Sequence, residues 1–171
     1  MAYEWYLDAN ALIKRYSVEK GTLFINRLFD LNATQKLGCS TVCILELISI
    51  ITRKRNDGRI DDVEYNNAIE NIWLQIVEND SFFTTSVNDV LLYTSVNLLS
   101  KHNINATDAL ILRSALNLQV EADKRGDSII FVSSDKRLVR VAYAEGIIVF
   151  DPEAVTSEQF EQLLTASIES H

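Results

Sequence analysis

IIFVSSDKRLVRVAYAEGIIVF, Ile129 to Phe150, is the stretch that decides the fold class. Ile129 to Val132 is a short run of β-branched and aromatic residues and reads as a buried strand. Ser133-Ser134-Asp135 supplies turn and capping side chains, so a helix is expected over Lys136 to Glu145, and Gly146 closes it. Ile147 to Phe150 is then a second strand. Two short apolar strands joined by one helix make a unit whose strands pair in parallel.

The same alternation extends toward the N-terminus. Tyr3 to Leu7 is a strand ending at Asp8, after which Asn10 can cap a helix through Tyr16. Gly21 to Leu31 carries Leu23, Phe24, Leu28 and Leu31 at helical spacing, and Leu37 to Cys39 is a short strand. Ser40 or Thr41 caps a long helix that stops at Asp57-Gly58. Val42, Leu45, Ser49 and Thr52 mark one of its stripes, and Cys43, Leu47, Ile50 and Ile51 widen it. A partner helix beginning around Asp61, with Ile69, Ile72, Trp73 and Ile76, completes a helical hairpin before a strand at Ser81 to Thr85. A helix starting at Ser86 ends at His102-Asn103, and another covers Asn105 to Leu118. Gln119 to Asp127 is polar and reads as a loop or extended helix end without chemistry of its own. After Asp151-Pro152, Phe160, Leu163 and Leu164 mark an appended amphipathic helix. The whole predicts a parallel α/β sheet with helices on both faces.

With 171 residues, 47% hydrophobic, five Gly and one Pro, the chain has material for one core and too little punctuation for a long linker. The start, Met1 to Asp8, lacks a basic run and carries an acid in its apolar stretch, so it does not read as a secretory signal. The apolar runs Val42 to Leu45 and Leu47 to Ile51 are split by Glu46 and fall well short of the roughly 20 residues that span a bilayer. A soluble, cytoplasmic protein with no membrane partner is expected. Cys39 and Cys43 are the only cysteines and His102 and His171 the only histidines, which leaves no zinc spacing and no disulfide framework. A net charge of -8 argues against tight nonspecific nucleic-acid binding by the molecule as a whole. Its cations are nevertheless grouped, at Lys14-Arg15, Arg53 to Arg55 with Arg59, Lys124-Arg125, and Lys136-Arg137 with Arg140.

Four acids stand where a strand ends or a helix begins: Asp8, Glu46, Asp108 and Asp135. In open parallel sheets the functional crevice lies beyond the carboxyl ends of the strands, so acids there can converge across long sequence distances. Crowded carboxylates repel one another and stay ionised together only with a cation among them, for which a hard divalent ion is the natural choice. Taken singly, Asp8 and Asp135 could simply cap helices, and Asp108 could complement a helix dipole. Glu46, between Leu45 and Leu47, would be costly if buried without a partner. Other acid chemistries fit less well. A haloacid-dehalogenase-like phosphatase would want an acid where Asn10 stands, a receiver domain would want an acidic pair before its first helix, and no glycine-rich phosphate loop or nucleophile elbow is present.

The segments Tyr6 to Tyr16, Asn105 to Leu112 and Ser133 to Leu138, with Glu46 between them, resemble the PIN domain, especially the VapC-type toxins of type II toxin–antitoxin pairs. The resemblance covers about Tyr3 to Asp151. It implies a three-layer α/β/α fold with a five-stranded parallel sheet, a PIN-like nuclease domain over residues 1–152 and a helical tail of that domain over 153–171. It also implies a metal-dependent endoribonuclease with Asp8, Glu46, Asp108 and Asp135 as its catalytic and metal-binding acids. Asn10 falls where a Ser, Thr or Asn often steadies the first acid, and Ser133 where a Thr is common. A position often occupied by His is Ile111.

The expected chemistry is hydrolysis of RNA phosphodiesters with one or two Mg²⁺ or Mn²⁺ ions, with Glu46 as a ligand or a water-orienting group. Lys14, Arg15, Lys136 and Arg137 are weaker candidates for guiding the phosphate backbone, surface solvation being the plainer role of each. A cognate antitoxin and a homodimer are implied partners. The alternatives are a non-catalytic interaction module whose acids receive a partner's Arg or Lys, and a nuclease acting outside any toxin pair.

Overall fold

In the computed structural model, which describes residues 3–31 and 36–168, the apolar runs become strands and pair only in parallel. Met1, Ala2, His171 and the last residues of the tail lie outside the described residues. The strands are β1 Tyr3–Leu7, β2 Lys36–Ser40, β3 Phe82–Thr85, β4 Ser128–Val132 and β5 Ile148–Phe150. They form one five-stranded sheet in the order β3-β2-β1-β4-β5. β1 is central, with Tyr6 opposite Gly38 of β2 and Phe131 of β4. The chain thus builds outward from β1 in one direction, then returns to β1's other side. That reversal places a topological switch point between β1 and β4.

Helices connect the strands: α1 Ala9–Tyr16, α2 Thr22–Asp30, α3 Thr41–Asn56, α4 Asp62–Ile72 with a π-helical continuation Trp73–Val77, α5 Asp89–Lys101, α6 Ala106–Asp123, α7 Lys136–Ala144 and α8 Ser157–Ile168. Side chains alternate across β1, as a strand requires. Trp5 packs edge-on against Phe150 at 5.6 Å and Phe160 of α8 at 6.3 Å. Tyr6 points to the other face, where its hydroxyl bonds Thr85 and Ser114 of α6. Helices therefore cover both faces.

Tyr6 reaches Thr85 across the intervening β2 because Gly38 stands there. A Cβ at Gly38 would fall on the Phe83 ring, which instead lies 6.2 Å from the Tyr6 ring. The C-terminal helix is fastened by aromatic packing: Phe160 lies 5.1 Å from Phe24 and 5.4 Å from Phe150, and it is buried together with Leu164.

The structure departs from sequence expectation at several helix boundaries. Asp8, not Asn10, caps α1: its Oδ1 accepts the Ala11 N–H at 2.7 Å, and Asn10 lies exposed in the first turn. Helix α5 starts at Asp89 with Asn88 as its cap, later than Ser86. The polar stretch after Leu118 takes the second of its two expected forms, an extended helix end, with α6 continuing to Asp123. Ala122 is buried there, and the Gln119 carboxamide oxygen accepts the N–H of Ile129 at the start of β4. On α3 the buried stripe is Cys43, Leu47 and Ile51; Leu45 is exposed and Glu46 half-buried. Glu46 therefore borders the core rather than entering it.

Among the described residues, no helix is long and apolar enough to cross a membrane. Cys39 and Cys43 are buried free thiols.

Candidate active site

The carboxyl ends of β1 and β4 put two acids side by side at the switch point. Asp8 follows β1, and its N–H bonds the Val132 carbonyl at 3.0 Å. Ser133 follows β4, is fully buried, and donates its hydroxyl to Asp8 Oδ2 at 2.6 Å. The Ser133 oxygen in turn accepts the N–H of Asp135 at 3.1 Å. One hydroxyl thus ties the first acid to the backbone of the last. Asp135 caps α7 by accepting the N–H groups of Arg137 and Leu138.

Helices α3 and α6 bring the other two acids to the same end. Asn105 caps α6 by accepting the Asp108 N–H at 2.8 Å, and Asp108 lies buried in the first turn. Ser40 caps α3 at the end of β2, and Glu46 follows within its second turn.

The electrostatics show which acids influence one another. Asp8 is 1% exposed; its pKa is pushed up to about 7, chiefly by burial, with the charges of Asp108 and Asp135 adding and the bonds from Ser133 and Ala11 opposing. Asp108 is pushed up to about 6, again mainly by burial, with Asp135 and Glu46 raising it and Arg137 lowering it. Each of the four acids therefore acts on at least one other across this crevice. Asp108 Oδ2 is buried and finds no hydrogen-bond partner among the described residues; its nearest cation, an Arg137 guanidinium nitrogen, stands 3.9 Å away.

These groups suit a hard divalent ion chemically: the donors are carboxylate oxygens, one of them is unbonded, and their mutual repulsion is what a cation relieves. They do not form a finished cage. Among the described residues, no three His, Cys, Asp or Glu side chains are drawn together to hold one ion. Mg²⁺ does not require such a cage, because it keeps several waters and commonly takes one or two protein carboxylates together with substrate phosphates. Asn10 is exposed and does not bond Asp8; the steadying role falls to Ser133 and the Ala11 N–H.

The four cations marked as phosphate guides part company in the structure. Lys14 is 2% exposed and pairs with Glu153 at 2.6 Å and Glu19 at 3.6 Å, so surface solvation does not describe it. Arg15 bonds Gln75 and Asn26 and lies over the Phe29 ring, away from the acids. Lys136 pairs with Asp151 at 2.5 Å. Arg137 alone faces one of the four acids. The partners Asp151 and Glu153 were missed in the sequence, although two acids just after the last strand, at the carboxyl end of the sheet, were a usable signal.

A recess of ≈ 350 Å³ opens beside Asp135 and is lined by Asn10, Lys14, Ser134, Lys136 and Glu153 among others. A larger one, ≈ 570 Å³, lies between α1 and α4 around Arg15, Arg59 and Asn67 and contains none of the four acids, so size does not locate the chemistry.

The PIN domain sequence pattern matches residues 6–153. Among solved structures, PAE2754 from Pyrobaculum aerophilum is similar with a TM-score of 0.59 and 18% identity, over 96% of this chain and 98% of that one. VapBC2 from Rickettsia felis, bound to a DNA fragment from its promoter, is similar with a TM-score of 0.56 and 12% identity, over 88% of this chain and 98% of that one. At such identities the likeness concerns the fold alone. No curated protein matches the sequence at a significant level.

Proposed function

This chain belongs to the PIN-domain family, and from that membership and the acidic crevice we propose that it is a Mg²⁺- or Mn²⁺-dependent endoribonuclease, the toxin of a type II toxin–antitoxin pair. PIN domains are generally nucleases and typically use divalent metals. The observation that carries the reading is the buried, unbonded Oδ2 of Asp108, set among acids that raise one another's pKa. Burying such a group without a bond is costly, and acids perturbed in this way cluster at functional sites.

A bound divalent ion would supply a water of lowered pKa and stabilisation of charge on the attacked phosphate and leaving oxygen. Asp8 and Asp108 are the acids to hold it, with Asp135 beside them and Glu46 as a ligand or water-orienting group. Ser133 and the Ala11 N–H fix both oxygens of Asp8, leaving further lone pairs on each for an incoming cation. Arg137 offsets the charge of Asp108 and is the cation best placed to turn toward a phosphate.

The likeness to VapBC2 supports an antitoxin as partner, and the exposed Val90, Tyr93 and Val96 on the outer side of α5 are apolar surface that an antitoxin or a second copy would cover. A cytoplasmic location suits such a pair.

The test is cleavage of single-stranded RNA with Mn²⁺ by the wild type, Asp8→Asn and Asp108→Asn. The wild type should cut, EDTA should stop it, and both variants should be inactive while remaining folded. Unchanged cleavage by both variants removes the mechanism. A second reading, an interaction module whose acids receive a partner's arginine, is favoured by the Arg137 guanidinium already facing Asp108; absence of cleavage by the folded wild type would support it.

A further inference from the structure

Two lysines border the acidic crevice, and each is already engaged by a carboxylate of one short turn. Lys14 of α1 bonds Glu153 at 2.6 Å and Lys136 of α7 bonds Asp151 at 2.5 Å. Both lysines, with Asn10, Ser134, Asp135 and Glu153, line the ≈ 350 Å³ recess that opens beside Asp135. A carboxylate and a phosphate are interchangeable to an ammonium group, since each offers anionic oxygens to a charge-assisted hydrogen bond. We propose that the Asp151–Glu153 turn is a built-in surrogate for RNA phosphates: it holds Lys14 and Lys136 as a preformed backbone subsite beside Asp135, and single-stranded RNA enters by displacing the Glu153 side chain.

The proposal rests on the nuclease reading above and adds to it where the strand lies and what guards its place. Lys14 is 2% exposed, and a buried ammonium must keep an anionic partner at all times. Exchange of carboxylate for phosphate meets that condition, and Glu19, 3.6 Å from Lys14, bridges the moment of exchange. Glu153 is the side chain able to leave, because it is 31% exposed. The backbone beneath it is fixed. Asp151 accepts the Glu153 N–H at 2.9 Å, and the turn sits so close on Gly21 that a Cβ there would lie 2.7 Å from the Pro152 carbonyl oxygen. Displacement is therefore a rotation of one side chain. Lys136 is 66% exposed and needs only to exchange one anion for another at the mouth of the recess.

The test measures binding in EDTA, where no cleavage occurs. A labelled single-stranded RNA is titrated by fluorescence anisotropy at several salt concentrations, and inorganic tripolyphosphate by calorimetry, against the wild type, Glu153→Gln and Asp151→Asn. Glu153→Gln should bind RNA about tenfold more tightly, the worth of one liberated charge-assisted contact. Its plot of log K against log salt should steepen by up to about 0.7, because in the wild type the Lys14–phosphate contact is offset by the Glu153 carboxylate it sets free, which takes up a cation, and in the variant it is not. Asp151→Asn should move the same way through the more exposed Lys136, and it carries the test if Glu153→Gln does not fold. If the acids only fasten the turn, melting temperature falls while affinity and salt slope stay at wild-type values, and the proposal is overturned. Wild-type RNA cleavage with no gain in either variant overturns the subsite and leaves the nuclease reading standing. A gain in tripolyphosphate affinity without wild-type cleavage does the reverse.

Discussion

Asp108→Asn should make the metal-free protein more stable at pH 8, although it removes a proposed catalytic group. In the folded chain Asp108 titrates at about 6 against 3.8 for the ordinary side chain. A raised acid binds its proton more tightly folded than unfolded, so stability falls as pH climbs from about 4 to about 6 and stays low above that. The full penalty at pH 8 is about 3 kcal/mol, at 1.36 kcal/mol for each tenfold change in proton affinity. Partial relaxation toward Arg137, and the amide that the variant leaves in the same unbonded place, reduce the expected gain to about 1.5–2 kcal/mol. For a chain of this size that is a rise in Tm of about 3–8 °C. Calorimetry in EDTA at pH 8 and pH 4 reads it directly. The gain should be present at pH 8 and vanish at pH 4, where the wild-type carboxyl is protonated in the fold. A loss of stability at pH 8, or an equal change at both pH values, would refute the reasoning.

Further outcomes follow from the same geometry. Ser133→Ala removes the buried hydroxyl bonded to Asp8 Oδ2, so it should cost about 1–2 kcal/mol and move the Asp8 titration still higher, read from the pH dependence of melting. Gly38→Ala drives a methyl into the Phe83 ring and should cost about 1–3 kcal/mol by denaturant unfolding; an unchanged midpoint would show that the ring gives way freely. Phe160→Ala opens the cluster of Trp5, Phe24 and Phe150 and should cost about 3–5 kcal/mol, so proteolysis should then release the C-terminal helix first.

The strands were legible because a parallel sheet buried on both faces writes itself as short apolar runs, and the caps Ser40 and Asp135 as polar residues soon after two of them. Asp8 and Asp135 lie just beyond β1 and β4, positions that a parallel sheet makes neighbours, whereas Asp108 and Glu46 come from within helices α6 and α3. What escaped was set by contacts that sequence does not carry. The burial of Lys14 depends on Glu153, 139 residues away. For Gln119 to Asp127 the sequence leaves loop and extended helix end both open; Ala122 packing inward and Gln119 bonding β4 decide for helix as far as Asp123. Glu46 stands between Leu45 and Leu47 on an apolar helix, but the helix buries Cys43, Leu47 and Ile51 and leaves Leu45 exposed and Glu46 half-buried.

The central claim is that distant carboxylates share one divalent ion, and calorimetric titration of Mn²⁺ into the metal-free protein at pH 7.5 tests it most directly. Binding at or below millimolar metal, with release of a fraction of a proton from Asp8, whose pKa of about 7 leaves it partly protonated, and its loss in Asp108→Asn, is the result predicted. No heat at millimolar Mn²⁺, or identical binding by that variant, would contradict it.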